Sequence, residues 1–221
     1  MVSKEQLLIN FQFNKEYFEQ DYYVTQSNFD AYTFINTWPK WIKKFVNLYG
    51  EKYSGKSHLI EIFLNKTSYI KVKSSEFTNN TINKIKPKEA IIIEDFKNDI
   101  PEKLLYSLIN IIEQENKYLI ISSLKPINKY KFELKDLTSR INNCFFIKIK
   151  APDDELIRAL ITKNLSDRQI SIDKKLIEYI IKRINRSYND IFLFIYRIDQ
   201  ISLQKRTPIN LKIIKQALEI I

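Results

Sequence analysis

Gly50-Glu51-Lys52-Tyr53-Ser54-Gly55-Lys56-Ser57 fits the phosphate-binding pattern G-x-x-x-x-G-K-[ST] at every constrained position. The chain has two glycines in 221 residues, and both stand in this stretch. Glycine at the first and sixth positions lets the backbone turn back with its amide hydrogens pointing inward, a nest for anionic oxygens. Lys56 then reaches the terminal phosphates of a nucleotide, and the Ser57 hydroxyl sits on a magnesium ion. The flanks supply the context that the pattern needs. Phe45-Val46-Asn47-Leu48-Tyr49 is a short apolar run suited to a buried strand, and Ser57 to Phe63 opens an amphipathic helix whose N-terminus faces the anion. The plain alternative is a tight strand-to-helix turn with a chance Lys-Ser, but it requires the only two glycines to fall at this spacing by accident.

Outward from that stretch, composition narrows the field. A hydrophobic share of 44% supports a real core, and 221 residues suit a main domain with a smaller appendage. A net charge of +10 raises the question of nucleic acid. The lysines are scattered through an Ile-, Asn- and Tyr-rich chain, so the charge reads as a generic basic surface and not as a DNA-binding stripe. The single Cys144 has no intrachain partner, which suits a reducing compartment. No apolar run approaches the roughly 20 residues that span a bilayer, and no signal-peptide core is present, so the sequence predicts a soluble cytoplasmic protein with no membrane contact.

The patterns alternate along the chain. An extended lead-in at Tyr22-Tyr23-Val24 precedes a helix capped at Ser27 or Asn28 and running through Asn36. After the strand at 45–49 and its helix, strands are predicted at 69–72, 90–94, 118–122 and 144–149. Helices at 78–85, 101–116 and 134–141 separate them. Such alternation predicts an α/β fold with a five-stranded parallel sheet covered on both faces and ligands at the carboxyl ends of the strands. Beyond Ala151-Pro152 the strand signal stops, and helices are predicted at 153–164, 173–184, 189–203 and 211–221. The boundaries are therefore a lead at 1–21, an α/β domain at 22–150 and a small helical lid at 151–221.

Several residues stand where chemistry is done. The apolar strand 90–93 runs into Glu94 and Asp95; beside a phosphate loop, the first acid holds magnesium through water and the second orients the attacking water. Ser122 and Ser123 end the next strand, where a polar side chain lies between the last phosphate and the acids, although any strand end carries polar residues. Arg140, at the end of a short helix, faces away from its own phosphates; on residues alone it is an ordinary surface arginine or a finger for a neighbour's nucleotide. His58, the only histidine, has no second metal ligand beside it and reads as a packing or hydrogen-bonding residue. In the lead, Gln6 is followed by Leu7, Ile9 and Phe11 in alternation. That spacing suits an extended peptide seated in a partner's groove as well as a strand or tail folded back on the domain.

Together these residues resemble the AAA+ module of the bacterial replication initiator DnaA. The resemblance is carried by Gly50 to Leu59, Glu94-Asp95, Ser122-Ser123, Thr138-Ser139-Arg140 and Pro152-Asp153. Gln6 to Phe11 is similar to the sliding-clamp-binding hexapeptide of the Hda family of DnaA-homologous regulatory inactivators, and the run from Asp21 through Asn28 to Trp38-Pro39-Lys40-Trp41 looks like the alphaproteobacterial type. The resemblance implies an AAA+ P-loop NTPase domain with a small helical lid and without the DNA-binding domain. It implies ATP or ADP with Mg2+, held by Val24, Asn28, Gly50, Ser54, Gly55, Lys56, Ser57, His58, Ser123 and Asn189, with Ser57 and Glu94 at the metal. It implies that Gln6, Leu7, Ile9 and Phe11 bind the clamp, so that DNA is met indirectly. Arg140, with Asp95 as the other catalytic candidate, then stimulates ATP hydrolysis by DnaA and restrains initiation. Self-association into a homo-oligomer stays open.

Three departures from the family pattern bear on activity. Lys52 and Tyr53 are bulky where the loop ordinarily needs backbone freedom, Glu94 stands where most AAA+ proteins carry Asp, and Asn189 stands where a lid arginine is expected. A missing charge at 189 weakens discrimination of ATP from ADP and independent hydrolysis, and predicts ADP as a structural ligand. Two other readings compete with the regulator. A self-contained ATPase would depend on Asp95, and a DNA-binding accessory factor would bind duplex DNA steeply with salt in the absence of any clamp.

Overall fold

The computed structural model describes residues 17–168, 170 and 172–219. Its centre is a parallel sheet of β1 (Phe45–Tyr49), β2 (Tyr69–Lys73), β3 (Ala90–Phe96), β4 (Tyr118–Ser123) and β5 (Phe145–Lys148), in the order β2-β3-β4-β1-β5. The order reverses beside β1, and the loop leaving β1 opens at that switch point, where a crevice for ligands forms at the carboxyl ends of the strands. The five strands and their parallel pairing agree with the pattern of the sequence.

Alternation along the strands sends successive side chains to opposite faces. On one face Val46, Leu48, Ala90, Ile92, Ile120 and Ile147 pack against α1 (Phe29–Asn36) and α2 (Lys56–Leu64). On the other, Ile91, Ile93, Leu119 and Ile121 meet α3 (Asn79–Asn83), α4 (Glu102–Gln114) and α5 (Lys135–Asn142). Trp41 closes the first face: its ring stacks on Phe34 and Phe63, and its indole N–H donates to the Phe34 carbonyl at 2.9 Å. Such a buried aromatic needs a partner for its polar edge, and this one has it.

The lid has a core of its own, made by α6 (Asp154–Ser166), α7 (Lys174–Ile181), α8 (Tyr188–Lys205) and α9 (Leu211–Glu219) around Ile161, Ile180, Phe194, Ile198 and Ile214. Phe194 is fully buried there, which contributes about 1.5–3 kcal/mol. Side chains cap three of these helices: Asp153 accepts from the Leu156 amide, Asp173 from Lys175 and Ser187 from Asp190. Asp153 also accepts from the Ser27 amide at 3.2 Å, which ties the start of the lid to the lead-in of the α/β domain. Burial opposes charge on Asp153, but hydrogen bonds from Leu156, Thr25 and Ser27 hold its carboxyl below the usual range.

Two boundaries differ from the sequence expectation. β3 does not end at the acids but continues through Glu94 and Asp95 to Phe96, with a shift of register against β4 between Ile93 and Phe96. The lead is not separate up to residue 21. Tyr17 to Asp21 lie on the domain, with Asp21 2.6 Å from Lys163, Tyr32 donating to Glu19 and the Phe18 carbonyl bonded to His58. Aromatic packing holds this segment where no helix or strand period announces it.

Candidate functional site

The phosphate loop leaves β1 with the Gly50 amide donating to the Ser123 carbonyl of β4 at 3.2 Å. A Cβ on Gly50 would stand 3.0 Å from Ser54 Oγ and 3.1 Å from the Ile149 carbonyl oxygen, so the close approach requires glycine. Gly55, at φ +89°, occupies the left-handed region and starts α2, and a Cβ there would lie 3.1 Å from the Tyr22 ring. Tyr53 takes φ 66° without being glycine. Lys56 is buried inside the turn, donating to the carbonyls of Gly50 at 2.9 Å and Glu51 at 2.7 Å, with Ser54 Oγ at 3.5 Å. Burial pulls its pKa down, while Asp95 and Glu51 oppose the shift. A bound nucleotide would exchange those carbonyls for phosphate oxygens. Ser57 stands exposed in the first turn of α2.

The register shift in β3 re-aims the acids, as bulges do. Asp95 is exposed at φ 56°, with its amide donating to Ser122 Oγ at 3.1 Å. Glu94 is mostly covered and lies 3.9 Å from Lys71 of β2, whose ammonium is hydrogen-bonded to Glu61 of α2. Among the described residues no three His, Cys, Asp or Glu side chains gather around one point. Magnesium ordinarily takes one or two carboxylates and completes its shell with phosphates and water. An ion carried in by a nucleotide would have the Ser57 hydroxyl and the Glu94 carboxylate as its candidate ligands, with Lys71 competing for Glu94.

The serine pair at the end of β4 divides its work in a way the sequence does not show. Ser122, not Ser123, accepts from the Asp95 backbone amide. The Ser123 hydroxyl donates to the Lys125 carbonyl at 2.7 Å and accepts from Asn47 at 2.9 Å, so it is already engaged within the protein. Asn47 sits fully buried within β1 and also bonds the Ile121 carbonyl and the Ile127 amide, joining the strands beneath the loop. A single asparagine in an otherwise apolar strand was the signal for it.

Beyond the loop lies the lead-in segment. Val24 is half-buried against the core, and Asn28 is buried, accepting from the Thr25 amide at 2.8 Å and donating to the Tyr23 carbonyl at 2.9 Å. The Asn28 side chain therefore shapes the turn and leaves α1 without a side-chain cap. Tyr22 lies against Gly55 and stacks on Tyr32. The hydroxyls of Tyr22 and Tyr188 are buried without a hydrogen-bond partner among the described residues. Burial pushes both phenols up, Tyr188 to about 12. The Tyr22 hydroxyl is the one beside Gly55; Tyr188 begins α8. His58 faces this segment, with its ring edge-on to Tyr22 and Nε2 2.7 Å from the Phe18 carbonyl.

Asn189 lies in the first turn of α8, and its amide donates to Glu51 at 3.3 Å. Arg140 is elsewhere: α5 carries it on the sheet face opposite α2, partly exposed, ion-paired with Glu113 and 5.5 Å from the Tyr106 ring. The structure thus joins the loop to Ser187, Tyr188 and Asn189 through Glu51 and to Tyr22 at Gly55, links Asp95 to Ser122, and leaves Arg140 on the other face of the sheet. Gln6, Leu7, Ile9 and Phe11 lie outside the described residues.

No family model matches the chain. An uncharacterised protein of Haemophilus influenzae is 24% identical over 189 residues, covering 80% of this chain and 82% of its own length. The chromosomal replication initiator DnaA of Thermoanaerobacter pseudethanolicus is 25% identical over 195 residues, which is 78% of this chain and 44% of the initiator. The chain spans less than half the length of the DnaA proteins that it matches. Domain III of Thermotoga maritima DnaA superposes with a TM-score of 0.71 at 17% identity, covering 90% of this chain and 94% of that one. The fold is that of a DnaA-like AAA+ domain. An AMPPCP-bound DnaA from Aquifex aeolicus shares it at TM-score 0.67 and 16% identity, covering 86% of this chain and 67% of that chain. At such identities the likeness carries the fold, and the chemistry of this chain rests on its own residues. No described helix is long and apolar enough to cross a membrane.

Proposed function

We propose that this DnaA-like AAA+ domain is a nucleotide-binding regulator that acts on the ATP of the initiator DnaA while carried on the DNA polymerase sliding clamp. The observation that carries the reading is the position of Arg140. A partly exposed guanidinium on the sheet face opposite α2 is of no use to its own phosphate loop and can enter a neighbour's site by leaving Glu113. A positive charge placed beside a transferring phosphoryl group stabilises the charge that spreads over its oxygens.

The protein's own crevice holds ATP or ADP in this reading. Gly50, Ser54, Gly55 and Lys56 take the phosphates, Val24, Asn28 and Tyr22 border the nucleoside, and Asn189 approaches from the lid. Mg2+ bound at Ser57 and Glu94 would neutralise phosphate charge. The unpaired Tyr22 phenol beside Gly55 supports a polar occupant, and a fold relative described as AMPPCP-bound agrees with it. Gln6, Leu7, Ile9 and Phe11 bind the clamp as an extended peptide, so that DNA is met through the clamp and the work is done in the cytoplasm. The expected outcome of this regulation is fewer rounds of replication initiation. Hydrolysis of DnaA-bound ATP on clamp-loaded DNA tests the reading: a Gln6→Ala, Leu7→Ala double variant loses stimulation that needs the clamp, and stimulation equal to wild type refutes the clamp step.

A second reading keeps one observation of its own. Asp95 is held at φ 56°, a conformation that costs a non-glycine residue energy and that clusters at working sites. Were the protein a self-contained ATPase, single-turnover hydrolysis by the isolated chain would vanish in Asp95→Asn.

A further inference from the structure

The phosphate loop sends two of its own side chains into the lid. The Glu51 carboxylate accepts from the Ser187 hydroxyl, from the Tyr188 amide at 2.9 Å and from the Asn189 amide at 3.3 Å. These amides begin α8, an 18-residue helix, and they are among the donors that a helix leaves unpaired at its start. The Tyr53 ring stacks on Phe192 one turn further along α8, with centroids 4.0 Å apart and planes inclined by 11°. Lys52 lies 4.8 Å from the Tyr53 ring. The bulky residues at 52 and 53, out of place in a loop that only cradles phosphates, thus have a use at the lid. Tyr53 keeps its left-handed backbone while making that stack.

This arrangement changes what the start of α8 can do. A helix N-terminus attracts anions through its free amides and its dipole, and α8 stands beside the loop that cradles phosphates. Here the loop's own carboxylate already fills it. The first turn of α8 supplies an acid, Asp190, and the preceding Arg186 is paired with Asp154 at 2.6 Å. A third phosphate arriving at this end would meet Glu51 as a like charge and would find no free amide.

We propose that Glu51 and Tyr53 are positioning residues that fasten α8 to the phosphate loop independently of the terminal phosphate, so that the lid sits alike over a nucleoside diphosphate and a triphosphate. The ligand half of this inference rests on the nucleotide-binding reading; the fastening itself does not. A ligand moves a conformational equilibrium only by binding its two states unequally, and contacts already made without the third phosphate leave that phosphate nothing to add.

The test uses the full chain. Hydrogen exchange is followed without nucleotide for wild type, Glu51→Ala, Glu51→Gln and Tyr53→Leu, with β3 and β4 amides as the folding control. Exchange at Tyr188 and Asn189 speeds by about tenfold in Glu51→Ala, the loss expected for hydrogen bonds to a charged acceptor, and by less in Tyr53→Leu. Should Glu51→Ala fail to fold, Glu51→Gln, which keeps shape but loses charge, decides the same point. Calorimetric titration with ATP and with ADP then gives affinities within about threefold of each other for wild type. The ratio moves toward ATP by about fivefold or more in Glu51→Gln, as loss of the like charge lets the third phosphate approach the start of α8. Unchanged exchange at 188 and 189 in folded Glu51 variants overturns the fastening. A wild-type preference for ATP above tenfold, or a ratio that Glu51→Gln leaves unmoved, overturns its consequence for the nucleotide. A wild type that binds neither nucleotide refutes the nucleotide-binding reading, while the exchange measurement still decides the fastening.

Discussion

The two cations that matter most in this molecule are held in opposite ways. Lys56 is buried in the turn, bonded to two backbone carbonyls, with Glu51 beside it anchoring the lid. Arg140 stands on the far face of the sheet against one exposed carboxylate, Glu113. A cation meant for a resident ligand is built into the chain, where its removal leaves unpaired groups. A cation meant for another molecule's ligand must leave its own partner cheaply, and an exposed ion pair contributes only about 0–1 kcal/mol.

The contrast is sharpest if the two sites fail separately. Arg140→Ala lowers stimulated hydrolysis of DnaA-bound ATP by about three to five powers of ten, the range for an inserted arginine, while ADP affinity and thermal midpoint stay at wild-type values. Lys56→Ala does the reverse: titration with ADP shows a loss of roughly 30- to 150-fold, from about 2–3 kcal/mol of charge-assisted hydrogen bonding. Gly55→Ala costs about 1–2 kcal/mol in urea unfolding, because alanine is forced into the left-handed region against Tyr22. If Gly55→Ala proves neutral, the turn is not built as described.

The smallest effect concerns pH. Burial lowers the pKa of His58 from 6.5, although its bond to the Phe18 carbonyl opposes the shift, so the folded protein binds fewer protons there than the unfolded chain. Stability from this residue is complete above pH 6.5 and is lost as pH falls toward the folded value. The thermal midpoint of wild type therefore drops more steeply below pH 6.5 than that of His58→Gln. Parallel curves would remove His58 from the account of how residues 17–21 are held.

The sheet was legible because its strands are short runs of isoleucine, leucine and valine between turn residues, as in 90–93 and 119–121. The phosphate loop was legible because its chemistry is local: glycines, lysine and serine act within eight positions of one another. What escaped depends on contacts between distant residues. That the Ser122 hydroxyl meets the Asp95 amide while Ser123 is engaged elsewhere turns on the pleat of β4 and on Asn47, 76 positions away from Ser123 in sequence. The extension of β3 past its acids turns on a register shift that no apolar period encodes. Glu51 carries no signal of its own in the sequence, and only the fold brings Ser187 to it from 136 positions away.

The most direct measurement loads the protein with ADP, adds DnaA carrying labelled ATP on clamp-bearing DNA, and follows release of labelled phosphate in a single turnover. Rapid release is expected with wild type, and with Arg140→Ala only the rate of DnaA alone while the ADP stays bound. Release by Arg140→Ala at the wild-type rate would contradict that expectation.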